Sequence, residues 1–268
     1  MISADFKQKI HGKKPLKGTF VKMNCPTAVE ALGLAGLDFI IIDGEHAPLD
    51  EMHLEAMLRA ADCVGLPVVV RVPVADEFHI LKVLDMGAAG VQIPGLTSTE
   101  EVRACLDAAL YAPEGHRGLS FAQRSARYGT MDKFEYMRHS NENLVKVFHI
   151  ENREMAARVE ELCQVRDIDV LFVGPMDLSQ SFGHPGNPAN PEEQDAIRRI
   201  IEVAARYDVP VGIFVGTAEA AAKYEAMGVR YIAIGSDIMP DRRDPRPRDA
   251  VPCLDQSLPC RDERFRLG

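Results

Sequence analysis

The amino-acid sequence predicts a parallel (β/α)8 barrel of the TIM type. Eight short runs rich in β-branched residues alternate with seven alanine-rich amphipathic segments. No Gly-rich GxGxxG turn follows the first run, whereas a doubly wound sheet, the alternative reading, would more often carry one there. The length of 268 residues, with 46% hydrophobic and 26% charged, suits a single barrel with a sizeable core.

The first run, GTFVKM at 18–23, follows the basic stretch KKPLK at 13–17, which reads as a solvated turn. Runs two to four are FIIID (39–43), PVVVRV (67–72) and GVQIP (90–94). Runs five to eight are LVKVFHI (144–150), DVLFVG (169–174), PVGIFV (210–215) and YIAIG (231–235). Helical patterns fill 26–36, 50–64, 76–87, 98–110, 152–163, 191–207 and 217–228. Ser98-Thr99-Glu100-Glu101 and Thr217-Ala218-Glu219 carry capping signals, a hydroxyl for free N–H groups followed by acids in the first turn.

Two stretches break the alternation. Residues 111–143 form an insertion rich in polar and aromatic residues, of the length that serves a site or an interface. The tail, 239–268, holds five prolines among dense mixed charge and does not read as a regular last barrel helix. The expected organisation is therefore a catalytic barrel over 1–238 and an irregular tail beyond it.

Composition narrows the partners. A formal charge of −9 argues against a nucleic-acid binder with a basic face. No apolar stretch approaches the ~18 residues of a membrane span. The amino terminus lacks an apolar leader core, which predicts a cytoplasmic protein. The six cysteines are scattered without CxxC; Cys63, Cys105 and Cys163 fall in helical patterns and read as reduced, half-buried thiols, and a Cys253–Cys260 disulfide would need an oxidising setting.

Barrel chemistry sits at the carboxyl ends of the strands. Strand two leads into IIIDGEHAPLD at 40–50, with Asp43, Glu45, His46 and Asp50; strand eight leads into Ser236 and Asp237. Side chains alternate along a strand, so Val145, Val147, His149 and Glu151 share the inner face and Lys146 points away from it. The same rule groups Pro67, Val69 and Arg71, and an inward arginine needs an anion. Gln92 sits near the end of strand four. Glu151 and Asp177, from neighbouring strands, suit a hard divalent cation completed by water and substrate oxygens. Asp177 reads equally as the N-cap of LSQSFG. His46 lies in a loop just past a buried strand and suits a general base, with Asp43, Asp50 and Asp85 competing as its carboxylate partner.

DFIIIDGEHAPLD, PVVVRVP, LDMGAAGVQIP, PEGHRG, HIEN and VGPMDLSQSFGHPG occur in the order and spacing of the HpcH/HpaI aldolase family. The resemblance covers about residues 15 to 238. It implies a class II pyruvate aldolase, dependent on Mg²⁺, Mn²⁺ or Co²⁺, that cleaves 4-hydroxy-2-oxo acids or 2-keto-3-deoxy acids to pyruvate and an aldehyde. By resemblance Glu151 and Asp177 are the metal ligands and Arg71 holds the enolate oxygen. His46 is the base acting through a water, and Asp85 raises its basicity. The backbone at Met176 and Asp177 takes the pyruvate carboxylate. A homo-oligomer, a hexamer or trimer, is implied as well.

The sequence departs from the family pattern in three places. His149 stands where the family usually has a glutamine that contacts substrate or the metal's waters, and by resemblance it is a substrate-binding residue that can still donate one hydrogen bond. Met176 stands where a small residue is common, and the tail does not read as the family's last helix. Related chemistries on such a barrel are a malyl- or citramalyl-CoA-type lyase and oxaloacetate decarboxylation. A keto-acid-binding barrel without turnover is the non-enzymatic alternative. A CoA lyase would need a basic cleft for phosphates, which the charge balance disfavours.

Overall fold

The computed structural model describes residues 4–239. The tail expected over 239–268, with Cys253 and Cys260, lies outside the described residues apart from Met239.

Eight strands close into one all-parallel barrel in sequence order: β1 Leu16–Val21, β2 Phe39–Asp43, β3 Val68–Arg71, β4 Gly90–Ile93, β5 Val145–Ile150, β6 Val170–Val173, β7 Val211–Val215 and β8 Tyr231–Ser236. Closure comes from β1 pairing with both β2 and β8. The expected barrel is thus the observed fold, and β2 to β6 are buried on both faces, which is why most of their residues are apolar.

The two faces separate by parity. Phe20, Phe39, Ile41, Val69, Val145, Val147, Val170, Phe172, Tyr231 and Ala233 fill the barrel interior. Ile40, Ile42, Val68, Val70, Phe148 and Ile150 join the larger layer beneath the helices. Phe39 stacks on Tyr231 with ring centroids 4.0 Å apart. That bulk requires Gly18 on the neighbouring strand, because a Cβ there would lie 2.6 Å from the Phe39 ring.

Around the barrel run α2 Pro26–Leu34, α3 Glu51–Cys63, α4 Glu77–Asp85, α5 Thr99–Ala109, α7 Arg153–Ala157, α8 Val159–Cys163, α10 Pro191–Arg206 and α11 Ala218–Ala226. The single helix expected over 152–163 is two, because Arg158 leaves helical geometry between them. Ser98 and Thr217 cap α5 and α11 as their sequences suggest.

Three elements were not anticipated as such. α1, Ala4–His11, sends Phe6 and Ile10 into the interior cluster and so closes the amino-terminal end of the barrel. Lys7 and His11 of this helix both reach Asp169, at 3.1 and 3.0 Å, and Lys146 meets the same carboxylate at 3.2 Å. Lys146 does point away from the barrel axis, as parity predicts, but it is fully buried in this cluster rather than solvated. The insertion 111–143 contains a 3₁₀ turn at Arg124–Gly129 and α6, Lys133–Asn143, capped by Asp132. Tyr111, Ala126 and Tyr136 give it a small core of its own.

Candidate active site at the carboxyl ends of the strands

The register of the sheet assembles the site. β2 and β3 pair with Asp43 opposite Arg71, and both side chains follow inward-facing residues. Arg71 donates from Nε to Asp43 Oδ1 at 3.0 Å and from Nη2 to Oδ2 at 2.7 Å. The anion that a buried guanidinium requires is therefore Asp43. Lys22 Nζ adds a second cation, 3.1 Å from Asp43 Oδ2. Burial would raise the Asp43 pKa, but the Arg71 and Lys22 bonds and the His46 N–H bring it down to about 2. Phe20 lies beneath Arg71, its ring 4.9 Å from the guanidinium carbon.

Glu45 meets the other side of Arg71, with Oε2 2.8 Å from Nη1. Burial and the nearby Glu151 raise the Glu45 pKa against the pull of Arg71 and the histidines. Lys22 is a participant that the sequence alone does not assign to the site, whereas Glu45 is one of the acids expected at the end of strand two. For Lys22 a signal existed: Gly18, Phe20 and Lys22 share strand parity. For Glu45 the sequence marks the place but not the contact with Arg71, since its direction depends on the turn after β2.

His46 donates its backbone N–H to Asp43 Oδ1 at 3.1 Å, while its ring projects outward and is more than half exposed. Of the three carboxylates considered as its partner, none is placed beside the ring. Asp43 is bound to Arg71, and Asp50 caps α3 through the His53 N–H. Asp85 ends α4, just before β4, and so lies near the amino-terminal end of the barrel, opposite His46. Its carboxylate accepts from Arg117 Nη2 at 2.7 Å, and the Arg117 side chain is wholly buried over the Tyr111 ring. Within this chain the structure does not bring Asp85 and His46 together. Among the described residues, the carboxylate within ion-pair reach of the His46 ring is that of Glu45, 3.8 Å from Nε2.

Glu151 follows β5. Its Oε1 accepts the Gly95 N–H at 2.5 Å, and its Oε2 lies 2.6 Å from His149 Nδ1. Burial opposes ionisation of Glu151, but these bonds and the charge of Arg71 hold its pKa below the usual value. Asp177 lies in the first turn of α9, Pro175–Ser181, whose N-cap is Gly174. The alternative reading of Asp177 as a cap is thereby corrected: three residues into the helix, its carboxylate is exposed rather than turned back on the backbone. The first bond of this helix runs from Leu178 N–H to Gly174 O at 2.9 Å, so the Met176 and Asp177 N–H groups precede the hydrogen-bonded ladder.

Gly174 shows how the two acids relate. A Cβ at this position would sit 3.3 Å from Glu151 Oε2 and 3.9 Å from Asp177 Oδ2. Both oxygens border one small space that glycine leaves open. Two carboxylate oxygens facing such a cradle fit a hard divalent cation that takes its remaining ligands from water and substrate. No group of three or more His, Cys, Asp or Glu side chains among the described residues is arranged to hold a metal by itself. His149 is the sequence-predicted substrate contact that the structure places otherwise: it is 2% exposed, and both ring nitrogens face protein groups.

The family model for HpcH/HpaI aldolase/citrate lyase matches residues 16–241, the whole barrel. The chain belongs to the HpcH/HpaI aldolase/citrate lyase family. It is 35% identical to the 2-dehydro-3,6-dideoxy-6-sulfogluconate aldolase of Pseudomonas putida, over 82% of this chain and 86% of that one. It is 34% identical to the 5-keto-4-deoxy-D-glucarate aldolase of Shigella dysenteriae, over 87% and 90%. Among solved structures it resembles an HpcH/HpaI aldolase/citrate lyase family protein from Burkholderia cenocepacia, with a TM-score of 0.84 and 31% identity. That match covers 88% of this chain and 94% of the other. For this HpcH/HpaI member, as for the predicted span of 15 to 238, the similarity includes every strand that lines the mouth.

Proposed function

We propose that the protein is a divalent-metal-dependent aldolase that reversibly cleaves a 4-hydroxy-2-oxo acid, such as a 2-keto-3-deoxy sugar acid, to pyruvate and an aldehyde. The observation that carries this reading is the pair of Glu151 and Asp177 oxygens across Gly174, at the same barrel end as Arg71. The aldolase names of the curated relatives point to the same substrate class.

Glu151 and Asp177 would hold the metal, and Mg²⁺, Mn²⁺ and Co²⁺ all suit their oxygens. The ion supplies Lewis-acid stabilisation of negative charge, worth several kcal/mol. Arg71, fixed by Asp43, keeps N–H groups beyond those given to Asp43 and Glu45, and these stabilise the enolate oxygen. The Met176 and Asp177 N–H groups suit the substrate carboxylate. His46 takes the proton from the C4 hydroxyl, directly or through water. The C3–C4 bond then breaks, its electron pair passes to the enolate, and the aldehyde leaves. The proton held by His46 then passes through water to C3 of the enolate, giving pyruvate and the free base. Asp85, bound to Arg117, supports the insertion in this chain, and any action on His46 would need a second copy.

A homo-oligomer and a cytoplasmic location belong to the same proposal. Both are supported by the family resemblance. No helix among the described residues is long and apolar enough to cross a membrane.

Incubation with a panel of 4-hydroxy-2-oxo acids, with products identified by mass spectrometry, tests the reading. Equimolar pyruvate and aldehyde from at least one of them supports it. Binding of 2-oxo acids without cleavage of any would favour a binding protein instead.

A further inference from the structure

A buried chain of three side chains ends on the carboxylate proposed to hold the metal. Gln92 projects from β4 and His149 from the adjoining β5, and they are 0% and 2% exposed. His149 stacks on Phe172, with centroids 5.0 Å apart and planes 25° from parallel. Its Nε2 lies 2.7 Å from Gln92 Nε2, and its Nδ1 lies 2.6 Å from Glu151 Oε2.

The donors follow from chemistry. An ionised carboxylate only accepts, so Nδ1 carries the ring hydrogen. In a neutral ring Nε2 is then the acceptor, and the Gln92 amide nitrogen placed against it is the donor that meets it. Gln92 Oε1 has no hydrogen-bond partner and is buried. An unpaired buried acceptor is destabilising. A leucine of similar size would pack at this position without that cost, so the amide is explained by the bond its nitrogen makes.

We infer that Gln92 and His149 are positioning residues for Glu151. Gln92 fixes the tautomer of His149, and His149 aims Glu151 Oε2 across Gly174 towards Asp177. The Gly95 N–H restrains the other oxygen, so both are held while each keeps lone-pair capacity for an ion. The inference rests on the proposed role of Glu151 as a metal ligand and deepens it. It also reassigns His149: with both ring nitrogens engaged inside the protein, this imidazole does not contact substrate.

Histidine-directed ¹⁵N NMR on the metal-free enzyme, together with Mn²⁺ titration followed by electron paramagnetic resonance, tests this. Wild type should show His149 with a protonated Nδ1 and an unprotonated Nε2. Gln92→Leu and His149→Phe, the latter keeping the stack on Phe172, should each weaken Mn²⁺ binding by about tenfold or more, the usual effect of losing a ligand-orienting partner. Circular dichroism and melting in EDTA check that each variant is folded. Should the variants fail to fold, the wild-type tautomer still decides, because an Nε2–H ring overturns the inference. Mn²⁺ affinities within about twofold of wild type in both folded variants also overturn it. Glu151→Ala separates the two levels: unchanged affinity there sinks the ligand assignment itself. Loss in Glu151→Ala without loss in Gln92→Leu or His149→Phe sinks only the positioning role.

Discussion

Arg71 and Asp43 are register partners on neighbouring strands and are joined by two hydrogen bonds, at 3.0 and 2.7 Å, in the buried mouth of the barrel. The bidentate geometry fixes the guanidinium plane, which lysine cannot reproduce. Arg71→Lys should therefore fold but lose about 10²-fold or more in kcat, because a preorganised oxyanion donor is lost. Steady-state kinetics beside a circular-dichroism spectrum check this, and near-wild-type kcat would contradict it.

The same pair predicts an acid response. The folded pKa of Asp43 is depressed from 3.8 to about 2, so its stabilising contribution is complete above about pH 4 and is lost as pH falls through 2. The difference corresponds to ~2 kcal/mol. Asp43→Asn should be less stable than wild type near neutrality, with the gap narrowing by about that amount between pH 4 and 2. Urea unfolding across that range measures it, and a constant gap would refute the assignment.

Gly174→Ala probes the cradle without replacing a ligand. Its φ of −99° is accessible to alanine, but the new Cβ would lie 3.2 Å from Glu151 Cβ and 3.3 Å from Oε2. Mn²⁺ affinity should fall by about tenfold or more, as when a ligand's support is displaced, while the melting temperature in EDTA changes little. Unaltered affinity in calorimetry would place the ion elsewhere.

His46→Ala should remove most of the aldol activity, by about 10²–10⁴-fold, the range for a general base. Its exposed ring carries no packing role, so Mn²⁺ affinity and melting should remain near wild type. A variant retaining full kcat would exclude His46 as the proton carrier.

Asp85→Asn addresses the disagreement over that residue. The change leaves the buried Arg117 guanidinium without its carboxylate, and Asp85 is itself only partly exposed. A loss of about 2 kcal/mol, below the 3–5 of a fully buried pair, is expected in urea unfolding. An activity loss at unchanged stability would show instead that Asp85 acts on the chemistry.

How far the sequence could be read follows from what each feature depends on. The strands are legible because a two-sided buried strand writes itself as a β-branched run, as in Ile40–Ile42 and Val68–Val70. Parity along β5 places Glu151 and His149 on the inner face from local information alone. Arg71 in an apolar strand announces its need for an anion, but Asp43 emerges as that anion only through the β2–β3 register. α1 is short, and its burial of Phe6 and Ile10 depends on a barrel end that forms far along the chain. Asp85 and His46 are read as partners through family resemblance, yet the helix reversal after β3 separates them within one chain. The position of Asp177 inside α9 turns on Gly174 taking the cap, which no side-chain capping signal marks.

Pyruvate release coupled to lactate dehydrogenase, followed in EDTA and again after Mg²⁺, Mn²⁺ or Co²⁺ is restored, bears most directly on the metal-dependent aldolase. Activity abolished by the chelator and recovered with the ion in wild type, but not in Glu151→Ala, is the predicted result. Full turnover in EDTA would contradict it.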